Sequence, residues 1–260
     1  MFRVSKLIAA VASVGLVAAC GGSNQSESAK PASPAAAADG QKVDSATAGT
    51  ISGRIAFDGA VPQLGTIQMM SDPTCASAHK GPVPVQTYVV KDGGLDNVFV
   101  YIKAGLDKKY VFTTPTDTLT LNQQGCEYSP HVLGIRVGQP LQIVNDDNTM
   151  HNVHGMGETN QEFNFGQPVS GMKSVVTFTA PEVLIPLKCD VHSWMNAFVG
   201  VVNHPYFAVS ADGGKFELRD VPPGTYTIEA VHEKLGRQTQ TVTVGPKDSK
   251  QVSFTFKAAA

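Results

Sequence analysis

The 260-residue sequence has no excess of basic charge, no long segment with helical periodicity, no Cys-x2-Cys pair and no apolar run of comfortable membrane-spanning length. Each absence closes a class. The formal net charge is −2, and setting aside Arg3 and Lys6 leaves 18 Lys+Arg against 22 Asp+Glu, so no nucleic-acid partner is expected. The longest apolar run, Leu7 to Ala19, falls short of the roughly 20 residues a spanning helix takes. Without a close thiol pair there is no cysteine clamp of the kind structural zinc uses.

What is present begins with a leader. Arg3 and Lys6 precede the apolar run, which ends in "VAAC", and this order reads as a secretory signal over residues 1–20. Val17, Ala18, Ala19 and Cys20 resemble a bacterial lipobox. The resemblance implies that Cys20 becomes the lipid-modified first residue of the mature protein. It also implies a place in the bacterial cell envelope, anchored to a membrane through that lipid and facing the periplasm or the exterior. The plainer alternative is an ordinary signal peptide with a chance cysteine. Residues 21–48 are rich in Ala, Ser and Pro and poor in branched apolar and aromatic residues, so they are expected to be a disordered linker that holds a folded body away from the surface.

From Thr50 onward the chain is a succession of short alternating segments, among them "NVFVYIKA", "LQIVN", "SVVTFTA" and "QVSFTF", punctuated by Gly, Pro, Asp and Asn. That pattern predicts an all-β protein built as an antiparallel sandwich or barrel, in two modules. Residues 212–236, "DGGKFELRDVPPGTYTIEAVHEKLG", place a Gly-rich turn before one strand and a Pro-Pro-Gly turn before the next. They resemble the carboxypeptidase regulatory-like (transthyretin-like) β-sandwich, which implies a module over 204–260 without catalytic residues. "ISGRIAFDGAVP", 51–62, looks like the first strand and turn of the same module. Residues 49–116 are then a β-rich part that completes the C-terminal sandwich, with the middle of the chain inserted into it, or a separate unit.

The chemistry is concentrated in "KCDVHSWM", Lys188 to Met195, where a thiol, an imidazole and a thioether fall at positions 189, 192 and 195. A blue-copper site takes two imidazoles, one thiolate and a weak axial thioether. This loop supplies three of the four. Zinc has no use for a thioether, so Met195 argues for copper. The missing imidazole belongs on another strand, and "VGQPLQIVNDDNTMHNVHG", 137–155, offers His151 after an alternating strand and a polar turn.

The two segments together resemble the cupredoxins over residues 117–203: Gly138 before a strand, Asn145 and Asp147 closing it, "HNV" at 151–153, and "FVGVVN" after the Cys-His-Met loop. The loop spacing is similar to that of amicyanin. The resemblance implies a cupredoxin-like Greek-key sandwich binding one type 1 copper ion through His151, Cys189, His192 and Met195. Asn152 would hydrogen-bond near the thiolate and tie the two ligand segments together. It further implies single-electron exchange with redox protein partners through the His192 edge. Copper nitrite reductases and multicopper oxidases need further copper sites, and the ligand loop lacks the second cysteine of a dinuclear centre, so the expectation is a carrier and not an enzyme. The competing reading is a copper-binding, trafficking or structural envelope protein.

Other candidates stay open at this level. His154 replaces His151 as ligand if the strand register shifts by one. Cys75 and Cys126 form a disulfide, as is usual in an exported protein, or join His79 and His131 in a second metal site. Trp194 is either a packing residue or part of a docking surface.

Overall fold

In the computed structural model the described residues are 40–258; the leader, Cys20 and most of the linker lie outside them. Described residues are almost entirely strand and loop, with one five-residue helix, Pro73–Ser77. No helix among them is long and apolar enough to cross a membrane.

The strands make two sandwiches. In the first, Gly49–Asp58 is the hub: it pairs antiparallel with Lys215–Val221 and in parallel with Ser249–Lys257, so both ends of the described chain share one sheet. The facing sheet runs Phe207–Val209, Phe99–Ala104, Gly224–His232 and Gly236–Val244. Alternation explains the packing. Ser249–Lys257 buries Val252, Phe254 and Phe256 and turns the residues between them outward. Those three meet Ile51, Ile55, Phe216, Leu218, Val100 and Ile228 in one core, each large apolar side chain contributing about 1.5–3 kcal/mol.

The strands between Leu119 and Val202 form the second sandwich. One sheet has the order Phe163–Gln167, His151–Gly155, Glu182–Lys188, Asn196–Val202, Val132–Arg136, and the other Met172–Thr177, Pro140–Asn145, Leu119–Gln124, Glu127–Ser129. Gly138, at φ +79°, turns the chain between Val132–Arg136 and Pro140–Asn145, a conformation that L side chains seldom adopt. The core holds Leu121, Leu141, Ile143, Val153, Ile185, Leu187 and Val199. Phe99, Val132 and Val202 join the two sandwiches in a smaller apolar cluster. Gly200 lets them approach, because a Cβ there would lie 2.5 Å from the Phe99 ring.

Two boundaries differ from the sequence expectation. Within the stretch 21–48 expected to be a linker, the described residues are tied to the fold: Gln41 exchanges backbone hydrogen bonds with Lys109 and Val111, the Lys247 amide donates to Thr47, and Ala48 is buried. Composition misses this because backbone groups do the holding. Within 49–116, a stretch around Ile67 to Val83 packs on the second sandwich, where Met69 and Cys75 enter its core. A disulfide from Cys75 to Cys126 fastens it there.

Candidate metal centre

Strand pairing sets the site. Leu187 and Lys188 stand opposite Gly155 and His154, so the loop that begins at Cys189 leaves its strand beside His151–Val153. The loop is closed by its own backbone: the Met195 amide donates to the His192 carbonyl at 2.9 Å, and the Cys189 amide to the Met195 carbonyl at 3.1 Å. This turn brings Cys189, His192 and Met195 together under cover, at 2%, 2% and 1% exposure. His151 is fully buried.

His151, Cys189 and His192 form a group whose ligand atoms all lie within 4.8 Å of one another. The two imidazole Nδ1 atoms are 3.1 Å apart, and Cys189 Sγ is 3.8 Å from His192 Nδ1. Two nitrogens bound to one ion at about 2.0 Å each stand roughly 3 Å apart, so the spacing fits a shared metal. Each outer Nε2 meets a carboxylate, Asp147 Oδ2 at 2.8 Å from His151 and Asp72 Oδ2 at 3.1 Å from His192. A neutral ring that donates through Nε2 keeps its lone pair on Nδ1. Two buried lone pairs and a sulfur directed at one point are a set that a cation satisfies, and the mixture of imidazole with thiolate suits copper.

Electrostatics point the same way. Burial pushes the Cys189 thiol up, but hydrogen bonds from His151 and from the Asn152, His192 and Val191 amides outweigh it and hold the thiol below its ordinary value. Burial alone would lower His151; Asp147 and Cys189 overcome it and raise the ring to about 9. Burial likewise works against Asp72, yet His192, Thr149 and two backbone amides bring it down to about 2.

Asn152 links the two ligand segments. Its amide donates to Cys189 Sγ at 3.4 Å, its Oδ1 accepts from the Asp190 amide at 3.0 Å, and its Nδ2 donates to Asn164. His154 lies on the other side of its strand, between Glu162 and Asp190, and is not among the residues whose ligand atoms converge. Cys75 and Cys126 are bonded to each other. His79 Nε2 sits 2.6 Å from the Gly125 carbonyl and His131 Nε2 2.6 Å from Glu233, so these four residues assemble no second metal site. Trp194 donates to the Cys126 carbonyl at 3.1 Å and lies against the His192 ring, which gives it a packing role.

The His192 edge departs from the sequence expectation. It does not reach solvent: Asp72 and Cys75 Sγ, at 3.1 and 3.6 Å from its Nε2, close it off. Asp72 and Asp147 join the site through contacts that the sequence does not announce. A local signal existed for Asp147, four residues before His151 across a tight turn. For Asp72 only its helix-capping role was readable, from the Asp-Pro step.

No family model matches the chain, and no curated protein does. Among solved structures it is similar to the purple cupredoxin from Nitrosopumilus maritimus, with 23% identity over 32% of this chain and 99% of that one, TM-score 0.28. Amicyanin from Paracoccus versutus shares 17% identity over 41% of this chain and 99% of that one, TM-score 0.30. The copper-containing nitrite reductase of Thermus scotoductus shares 23% over 38% of this chain, TM-score 0.28, and the match spans a quarter of that enzyme's length. At such scores the assignment of residue roles rests on this chain's own geometry.

Proposed function

We propose that the protein is a single-electron carrier with one type 1 copper ion held by His151, Cys189, His192 and Met195. It works in the bacterial cell envelope, tethered through lipid at Cys20, and exchanges electrons with redox protein partners. The observation that carries this reading is the buried convergence of two imidazole Nδ1 atoms, 3.1 Å apart, and one thiol, 3.8 Å from the His192 Nδ1, with Cys189 and His192 on a loop that also buries Met195. Bound copper would supply a one-electron couple. The chain's part is to keep the ligands in place while the charge changes: the sheet fixes His151, the closed loop fixes the other three, and the carboxylates fix both rings. The first sandwich, carboxypeptidase regulatory-like in pattern, serves as a frame with no chemistry of its own.

A second reading is favoured by one observation. His192 is 2% exposed and its outer nitrogen is covered, which suits holding copper better than rapid exchange. Protein-film voltammetry separates the two. A reversible one-electron wave that vanishes in Cys189→Ser supports the carrier; copper bound without such a wave supports the holding protein.

A further inference from the structure

The ligand rings are gripped from behind in matching ways. Asp72 Oδ1 accepts from the Thr74 amide at 2.7 Å and the Cys75 amide at 3.2 Å, while its Oδ2 meets His192 Nε2 and Thr149 Oγ1. Asp147 accepts from the Gly125 amide at 2.7 Å and the Cys126 amide at 2.8 Å, and its Oδ2 also meets His151 Nε2. Each aspartate thus holds one half-cystine's backbone and one ligand ring. The disulfide between Cys75 and Cys126 joins the two arms, and both sulfurs are fully buried.

We infer that Asp72 and Asp147 are positioning residues that keep a proton on Nε2 of both ligand rings, so that Nδ1 is the atom turned to the metal, and that the Cys75–Cys126 bridge holds the two carboxylates as one unit. The inference deepens the copper reading and rests on it. A carboxylate can only accept, so the ring nitrogen in front of it must donate. A histidine on a bare loop would divide its population between two tautomers and rotate. Fixing ring and tautomer before metal arrives removes that cost, which is the role outer partners play at metal sites. The Asp72 arm also explains the closed edge of His192, since the oxygen that orients the ring is the one that covers it.

Asp72 allows a sharp test because its two oxygens do different work. After Asp72→Asn, the remaining oxygen is claimed by the Thr74 and Cys75 amides, and the NH2 is left facing Nε2. An amide donor there makes Nε2 the acceptor and moves the ring proton to Nδ1, the atom turned toward Cys189 and His151. Asp72→Ser keeps a good helix cap without reversing the polarity, and so serves as the folding control. Asp72→Glu tests rescue by a longer carboxylate.

The experiment uses the full chain and two readouts. Nitrogen-15 spectra of the His192 ring in the metal-free protein, at a pH where the ring is neutral, should show the proton on Nε2 in the natural sequence and in Asp72→Glu, and on Nδ1 in Asp72→Asn. Cu(II) affinity, by competition with a chelator, should then fall about 10- to 100-fold in Asp72→Asn and less in Asp72→Ser. An unchanged tautomer in Asp72→Asn, or an affinity equal to that of the natural chain, overturns the inference. A tautomer that switches as described in a protein with no affinity for Cu(II) keeps the positioning role and sinks the copper reading instead.

Discussion

His151 and His192 come from segments 41 residues apart and turn their Nδ1 atoms to within 3.1 Å of each other inside the second sandwich. Buried polar atoms that face one another without a hydrogen between them are costly. The protein answers this with a proton when metal-free, as the raised His151 ring indicates. A bound cation would answer it in the same place.

Copper binding should therefore release protons. With His151 raised to about 9, the metal-free ring is charged at neutral pH, and a metal must displace that proton to reach Nδ1. The sign follows: apparent affinity rises with pH, about tenfold per unit for each proton displaced, until the ring is neutral in the metal-free protein. Calorimetric titration with Cu(II) in two buffers of different ionisation heat counts the protons. An affinity flat between about pH 6 and about pH 8 would be incompatible with this linkage.

The two neighbouring histidines should behave oppositely. His151→Ala removes a fully buried ligand and is expected to lose the copper spectrum, whereas His154→Ala removes only a ring placed between Glu162 and Asp190 and should retain it. Electron paramagnetic resonance of the two variants decides; retention in both, or loss in His154→Ala alone, would mean the ligand is misassigned.

The disulfide should matter to stability as well as to the site. Cys75 and Cys126 are 51 residues apart, and the chain-entropy argument gives about 4 kcal/mol for a loop of that size. Urea unfolding of metal-free Cys75→Ala/Cys126→Ala should show a loss of that order, with faster hydrogen exchange around Ile67 to Val83. A loss under about 1 kcal/mol would show that apolar packing alone holds the segment.

Glu182 gives a prediction unrelated to metal. It accepts from the Glu158, Thr159 and Asn160 amides at 2.6, 3.1 and 2.8 Å, and from the Asn160 side chain at 3.0 Å. Burial raises its carboxyl, but these bonds prevail and hold it below the ordinary value. For a lowered carboxyl the stabilisation is present above the unfolded-state value and fades as pH falls through the folded one. Glu182→Gln should cost about 1–2 kcal/mol at neutral pH, with the difference from the natural chain narrowing in acid. Denaturation midpoints at both pH values measure it, and a gap that widens in acid would contradict the assignment.

Much of the second sandwich, and the meeting of Cys189 and His192 with His151 inside it, is legible in the sequence because the information is local. Cys189, His192 and Met195 share one short loop, and His151 follows an alternating strand whose period of two separates it from His154. The all-β class follows from the same alternation, as in Val252, Phe254 and Phe256. What is hidden is tertiary. Asp72 precedes a Pro-containing helix start, which announces a cap, but nothing near it says that its second oxygen will close the edge of a ring 120 residues later. Gln41 and Thr47 look like linker because what holds them is backbone pairing with Lys109, Val111 and Lys247, which no composition records.

A thiolate–copper bond at Cys189 is read out by the visible absorption spectrum of the Cu(II)-loaded protein beside Cys189→Ser. An intense charge-transfer band that disappears in the variant is the result expected for a buried two-histidine, one-thiolate site. A natural protein that takes up Cu(II) without such a band, or takes up none, would contradict it.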